Sequence, residues 1–219
     1  MKEIFSNCRQ GTLEKNLKSD IINTILMILS GSMLGVFSKL LDNMSLNDAI
    51  GWHRVLMDLD LRNVFSRLAI WSLFAVMIAV LSKRPLKASV NVFGFFIGMF
   101  IGYYSITLFV SGFFPKTYMI AWGIIILFSP VLAFFAWYSK GHGWIAIVLS
   151  SIIIGFFFTQ AFSFGMYYID ISYYDGVTSL LVVVILLYRD KKQMILSLIG
   201  ALIAAPFIKN LLPYIFGGL

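Results

Sequence analysis

Seven apolar stretches, separated by short charged turns, occupy most of this chain and decide what it can fold into. They run about Ile21–Leu41, Leu68–Leu81, Ala88–Val110, Tyr118–Tyr138, Trp144–Ile169, Val177–Tyr188 and Met194–Lys209. A helix of about 20 residues rises about 30 Å, the thickness of the bilayer hydrocarbon. Backbone inside hydrocarbon must satisfy its own polar groups, so apolar runs of this length read as spanning helices. Of the 219 residues, 60% are hydrophobic and 12% charged. That is about half the charged share of a soluble domain, too little to cover a globule with polar surface. The expected fold is all-α: a polytopic transmembrane bundle of about seven spans.

The formal net charge of +7 does not point to nucleic acid, because the basic residues flank apolar stretches. Such residues anchor loops against anionic headgroups. Counting them sets the orientation. With the N-terminus inside, the inner segments carry Lys2, Arg9, Lys15, Lys18, Lys83, Arg84, Lys87, Lys140, Arg189, Lys191 and Lys192. The outer ones carry Lys39, Arg54, Arg62, Arg67, Lys116 and Lys209. The excess places the N-terminus in the cytoplasm and the C-terminus outside. Trp71, Trp122, Trp137 and Trp144 lie near span ends, as interfacial tryptophans do.

Residues 1–20 form a cytoplasmic polar tail, with Ser19 or Asp20 placed to cap the first span. The rest, 21–219, is one transmembrane domain with an interfacial segment at about 44–67. There Met57, Leu61, Val64, Phe65 and Leu68 recur at helical spacing, while Met57–Arg62 alternates with period two. Helix and short strand both remain open for that piece. The second span is short and draws in Val64 and Phe65; the sixth starts early, near Ile171. Pro130 and Pro206 interrupt the fourth and seventh spans. Lys39 can snorkel from the end of the first span, and Lys209 from the end of the seventh. The tail Leu211–Leu219 is expected in the interface. Cys8 is the only cysteine, a free thiol or a palmitoylation site, so no disulfide forms within the chain. The first apolar run is too long for a signal peptide, lacks an A-x-A exit, and is expected to be retained.

Small residues recur four apart: Gly31 and Gly35; Gly94, Gly98 and Gly102; Gly200 and Ala204. They share a helix face and allow backbones to approach closely. A seam within the bundle, a homo-oligomer or partner-subunit contact, and a substrate-lining face are the open uses. One echo recurs. Ser82-Lys83 precedes a span bearing Phe95-Phe96-Ile97-Gly98, and Ser139-Lys140 one bearing Ile152-Ile153-Ile154-Gly155. A parallel repeat of hairpins and coincidence fit it equally.

Polar groups at membrane depth are costly and mark function or helix-helix bonds. Gln160, Asn91, Tyr103, Tyr104 and Ser105 are the main ones. No span core contains Asp or Glu, which argues against proton coupling. His53, His142 and Cys8 fall in separate loops, so no metal site is expected. No Walker A loop, G-x-S-x-G or H-E-x-x-H occurs, so neither an enzyme nor a cofactor is expected. Tyr103 and Tyr104 lie in the outer half of the third span. Gln160, Tyr167 and Tyr168 lie in that of the fifth, followed by Asp170 and Asp175. Together they outline a ligand pocket opening outward, with aromatic walls and a negative rim favouring neutral or cationic ligands. An interfacial aromatic belt accounts for the same tyrosines.

The stretch Ser82–Trp144 contains Gly-Tyr-Tyr, a Phe-Phe-Pro turn, a Ser-Pro within a helix and a Trp-Tyr-Ser-Lys-Gly turn. It resembles a family of small multi-pass bacterial membrane proteins of unknown function. The resemblance covers under a third of the chain and implies a plasma membrane, with no activity and no site residues. In size and small-residue seams the chain is also similar to substrate-binding components of energy-coupling-factor vitamin transporters, which usually have six spans. The expected function is small-molecule transport or membrane-embedded ligand binding, alone or as a transporter subunit. The alternative is a non-catalytic accessory, assembly or immunity protein acting through helix contacts. The lipid bilayer is the one partner expected outright.

Overall fold

The computed structural model describes residues 7–12, 17–45, 50–58, 60–112 and 115–216, with side chains through Leu211. Lys2, Lys15, residues 46–49, the Phe113–Phe114 turn and residues 217–219 of the apolar tail lie outside the described residues.

Of the described residues, 82% are helical. The elements are α1 (Leu17–Asn43), α2 (Gly51–Asp58), α3 (Leu61–Val64), α4 (Leu68–Leu81), α5 (Pro85–Ser111), α6 (Lys116–Ser139) and α7 (Trp144–Ala161). Then come β1 (Phe162–Phe164), β2 (Ile169–Ile171), α8 (Tyr174–Leu187) and α9 (Lys191–Phe216). Among the described residues, five helices are long and apolar enough to cross a membrane: α1, α5, α6, α7, and α9 up to Leu211. The helices α4 and α8 are apolar but only 14 residues long. This is the build of an integral membrane protein.

Three sequence expectations are corrected. The fifth apolar stretch is not helical to Ile169: α7 stops at Ala161, Phe162 turns extended, and a tight antiparallel hairpin pairs Phe162 with Ile171. The 44–67 segment is not one amphipathic helix. Asp60 adopts φ 49°, a left-handed geometry that separates α2 from α3. No strand forms there among the described residues. Neither proline interrupts its helix: α6 runs through Pro130 to Ser139, and α9 runs through Pro206 to Phe216.

The seven apolar helices alternate in direction, and side-chain bonds tie their ends. At one end, Arg84 pairs with Asp20, Arg9 reaches the C-termini of α4 and α6, and Lys140 donates to the Leu186 carbonyl of α8 at 2.5 Å. At the other end, Tyr103 bonds Asp42, and Arg67 pairs with both Asp60 and Asp175. Helix α4 lies in the middle, against α5, α6, α7 and α8. α1 packs on α5, and α9 packs on α7. The outward faces of α1 and α9 expose Leu29, Met33, Leu202 and Ile203. No protein covers these large apolar side chains, as suits contact with lipid.

The α1–α5 contact depends on missing side chains. A Cβ on Gly31 would strike the Phe95 carbonyl, and one on Gly35 that of Met99. In return, a Cβ on Gly98 would strike the Ile28 carbonyl, and one on Gly102 that of Ser32. The two backbones interlock, and no other residue fits without pushing them apart.

At the Arg9 end, residues 7–12 dock between the turns after α4 and α6. The His142 N–H donates to the Cys8 carbonyl at 2.8 Å, and the Thr12 N–H to that of Lys83 at 3.2 Å. Cys8 is only 4% exposed and donates weakly to the Tyr138 carbonyl. The tryptophan expectation fails at two positions. Trp71 and Trp137 are 2% and 1% exposed, their indole N–H groups bonded to the carbonyls of Phe65 and Ser82. They are core residues; Trp144, at 70% exposed, is free to sit in an interface.

Candidate functional site

A cavity of about 560 Å³ opens at the Asp42 end of the bundle. Its origin is a mismatch of lengths. Helices α1 and α5 each have 27 residues, about 40 Å, while α4 between its neighbours has 14, about 21 Å. Where α4 starts, at Leu68, the longer helices continue. The space left is walled by α1, α5, the first turns of α6 and the last turn of α7, and edged by Phe65 and Ser66.

Aromatic side chains make the walls. Trp71, Trp122, Tyr103, Tyr104, Tyr118 and Phe65 all line the cavity, with Met99 and Ile125 between them. Trp71 stands edge-on to Trp122 with centroids 6.4 Å apart, and its bond to Phe65 fixes the indole at 2.7 Å. Tyr104 is 6% exposed and packs on Phe100 at 4.6 Å. These rings are held by neighbours, so the cavity is preformed.

The polar groups are few. Tyr103 donates its hydroxyl to Asp42 at 2.7 Å, while the Lys39 ammonium lies 5.3 Å from the Tyr103 ring centroid. One cation and one anion thus face the opening and balance each other. Lys39 does not simply snorkel away; it borders the cavity. Deeper in, the Tyr104 hydroxyl has no hydrogen-bond partner among the described residues. The Gln160 carboxamide has only a 3.5 Å contact with Thr159 on its own helix. Among the described residues Gln160 makes no cross-helix side-chain bond. The hydroxyl and the carboxamide remain available to a bound molecule.

Of the residues expected to form a pocket, Tyr103, Tyr104 and Gln160 share this cavity. The others do not line it. Tyr167 is 91% exposed at the tip of the β1–β2 hairpin, and Tyr168 and Asp170 are exposed beside it. Asp175 is paired with Arg67, which also stacks on Tyr173 at 3.8 Å. The expected negative rim is therefore absent from the opening: one carboxylate is neutralised and the other sits on the hairpin. The sequence reading missed Trp71, Trp122, Phe65, Lys39 and Asp42 as wall residues. For the tryptophans, position near a span end suggested lipid contact. Nothing in the sequence showed that α4 would sit at the centre.

No family model matches this chain, and neither a curated protein nor a solved structure matches it.

Proposed function

We propose that the protein is a membrane-embedded receptor for a small, largely apolar molecule, serving uptake or release alone or as a subunit of a transporter. The observation that carries this is the aromatic cavity, with at its wall a Tyr104 hydroxyl that has no partner among the described residues and a Gln160 carboxamide held only by a long contact to Thr159. Its size falls within the range of small-molecule sites, about 300–1,000 Å³. The balanced Lys39 and Asp42 suit a ligand without net charge. In this reading the chain crosses the plasma membrane seven times, with Arg9 on the cytoplasmic side and the cavity opening outside. We count the short α4 and α8 as spans because both are apolar and α4 packs among full-length neighbours, while the segments before and after each lie at opposite ends of the bundle. The cation excess at the Arg9 end supports this orientation. Action through a glycine face has less support, since Gly31, Gly35, Gly98 and Gly102 are already buried between α1 and α5.

The test is a thermal-shift screen of uncharged small molecules on the detergent-purified protein, with tryptophan fluorescence as a second readout. A ligand of the folded state raises the melting point. Hits should perturb Trp122 emission and weaken in Tyr104→Phe and Gln160→Leu. A screen whose hits ignore both substitutions refutes the assignment of this cavity.

A further inference from the structure

A second hollow, about 740 Å³, lies at the opposite end of the bundle, between the first turns of α1 and α5. Its chemistry is divided. The part running along the helices is apolar, formed by Ile21, Ile25, Leu86 and Val90, each half or more exposed. The part at the helix ends is basic. Arg84 pairs with Asp20, and Lys87 donates to the Asp20 carbonyl and, at 2.7 Å, to the Thr24 hydroxyl. Two cations against one carboxylate leave a surplus of one positive charge. The Asp20 bonds do not exhaust the donors: the guanidinium has five N–H groups and the ammonium three. They hold both heads in place at the rim. Gly11 and Thr12 border the same rim from the docked N-terminal segment, which the Thr12 N–H ties to the Lys83 carbonyl.

We propose that this groove binds one anionic phospholipid. Its phosphodiester sits at Arg84 and Lys87, and an acyl chain lies along Ile21, Ile25 and Val90. Three observations select this occupant. The apolar walls continue the exposed face of α1, which meets hydrocarbon, so the groove opens to lipid rather than to water. With α1 and α5 spanning the bilayer as proposed, the rim at their first turns falls at headgroup depth. Its net positive charge complements an anionic headgroup and disfavours one carrying its own ammonium. The site is independent of the aromatic cavity at the far end.

Native mass spectrometry on the purified protein, titrated with phosphatidylglycerol or phosphatidylcholine of matched chains, tests this. Phosphatidylglycerol should be retained about fivefold more tightly, the scale of one surplus charge near a membrane surface. Arg84→Gln with Lys87→Gln should abolish the preference. Val90→Trp, which fills the apolar wall, should lower retention of both lipids. Lys191→Gln with Lys192→Gln removes two exposed charges at the same end outside the groove and should change nothing. Equal retention of both lipids by the wild type overturns the proposal without needing any variant to fold. So does loss of the preference in the Lys191/Lys192 control, which would mean diffuse charge rather than a site.

Discussion

The guanidinium of Arg9 lies 4.1 Å from the Trp137 ring centroid and donates to the Trp137 carbonyl at 2.6 Å. Its other arm donates to the Val80 carbonyl at 2.9 Å, so one side chain closes the C-terminal turns of both α4 and α6. Those carbonyls have no partner within their helices. Burial, and then Arg189 nearby, pull the Arg9 pKa down to about 10, which leaves it charged at neutral pH.

Arg9→Ala should therefore destabilise the protein by about 2 kcal/mol, the scale of losing charge-assisted bonds to buried acceptors. Arg9→Lys keeps the charge but not the planar fork, and should recover less than half of the loss. Melting points in detergent decide. Equal stability of all three proteins would mean that the N-terminal segment is not held where the structure places it.

Cys8 should resist thiol reagents in the folded protein. It is buried against Gly141, and that burial raises its pKa, so the reactive thiolate is scarce at pH 8. Maleimide labelling should be slow until denaturant is added, then complete. The pH dependence has a definite sign. The folded thiol keeps its proton to higher pH than the unfolded one, so stability falls as pH rises above the ordinary cysteine value of about 8.5. Cys8→Ser should flatten that limb of the profile. Fast labelling of the native protein would contradict the burial.

How much of this was readable from sequence differs from residue to residue. Apolar runs and basic turns announce the helices, because bilayer thickness and hydrogen bonding leave no other solution. The four-residue glycine spacing marks one face of α5. It cannot say that α1 is the partner, since any small-residue face would accept it. The end of α7 was hidden because Phe162–Phe164 continues its apolar run; there the chain pairs instead with Ile169–Ile171, while Gly176 of α8 lets that helix approach the Gln160 carbonyl. The cavity was half visible. Tyr103, Tyr104 and Gln160 stand out as polar groups at depth, whereas Trp71 and Trp122 read as interfacial until α4 is known to be central.

Ser129 should prove to be the partner of Pro130. A proline inside a helix leaves the carbonyl four residues back without a donor, here that of Ile126. The Ser129 hydroxyl donates to it at 2.8 Å. Ser129→Ala should cost about 1–2 kcal/mol by stranding a buried acceptor. Adding Pro130→Ala restores a backbone N–H and should recover most of that loss. A double-mutant cycle with no coupling between the two positions would reject the pairing.

The glycine interlock predicts a steep size dependence at one residue and none at its neighbour. Gly98→Ala already places a Cβ against the Ile28 carbonyl, and Gly98→Leu forces α1 and α5 apart. Rigid backbone cannot yield as a side-chain tip does, so the alanine variant should lose at least about 2 kcal/mol and the leucine variant should fail to extract as a folded protein. Ile97→Leu conserves volume and should cost less than about 1.5 kcal/mol. Comparable yields and melting points for Gly98→Leu and Ile97→Leu would mean that α1 does not pack here in the membrane.

The proposed orientation makes a sharp claim about which surfaces face the cytoplasm. Single cysteines introduced at Lys83, Lys140 and Lys191 in a Cys8→Ser background should be shielded from an impermeant maleimide in intact cells and exposed after lysis. One at Tyr173 should react from outside. Basic residues are retained on the cytoplasmic side. Lys140, Arg189 and Gln193 are also tied into one end by bonds to Leu186, Lys140 and Gly141. These positions must therefore share a side, whichever side it is. Labelling all three from outside would invert the protein and turn the aromatic cavity toward the cytoplasm. Labelling of one alone would break the seven-span path.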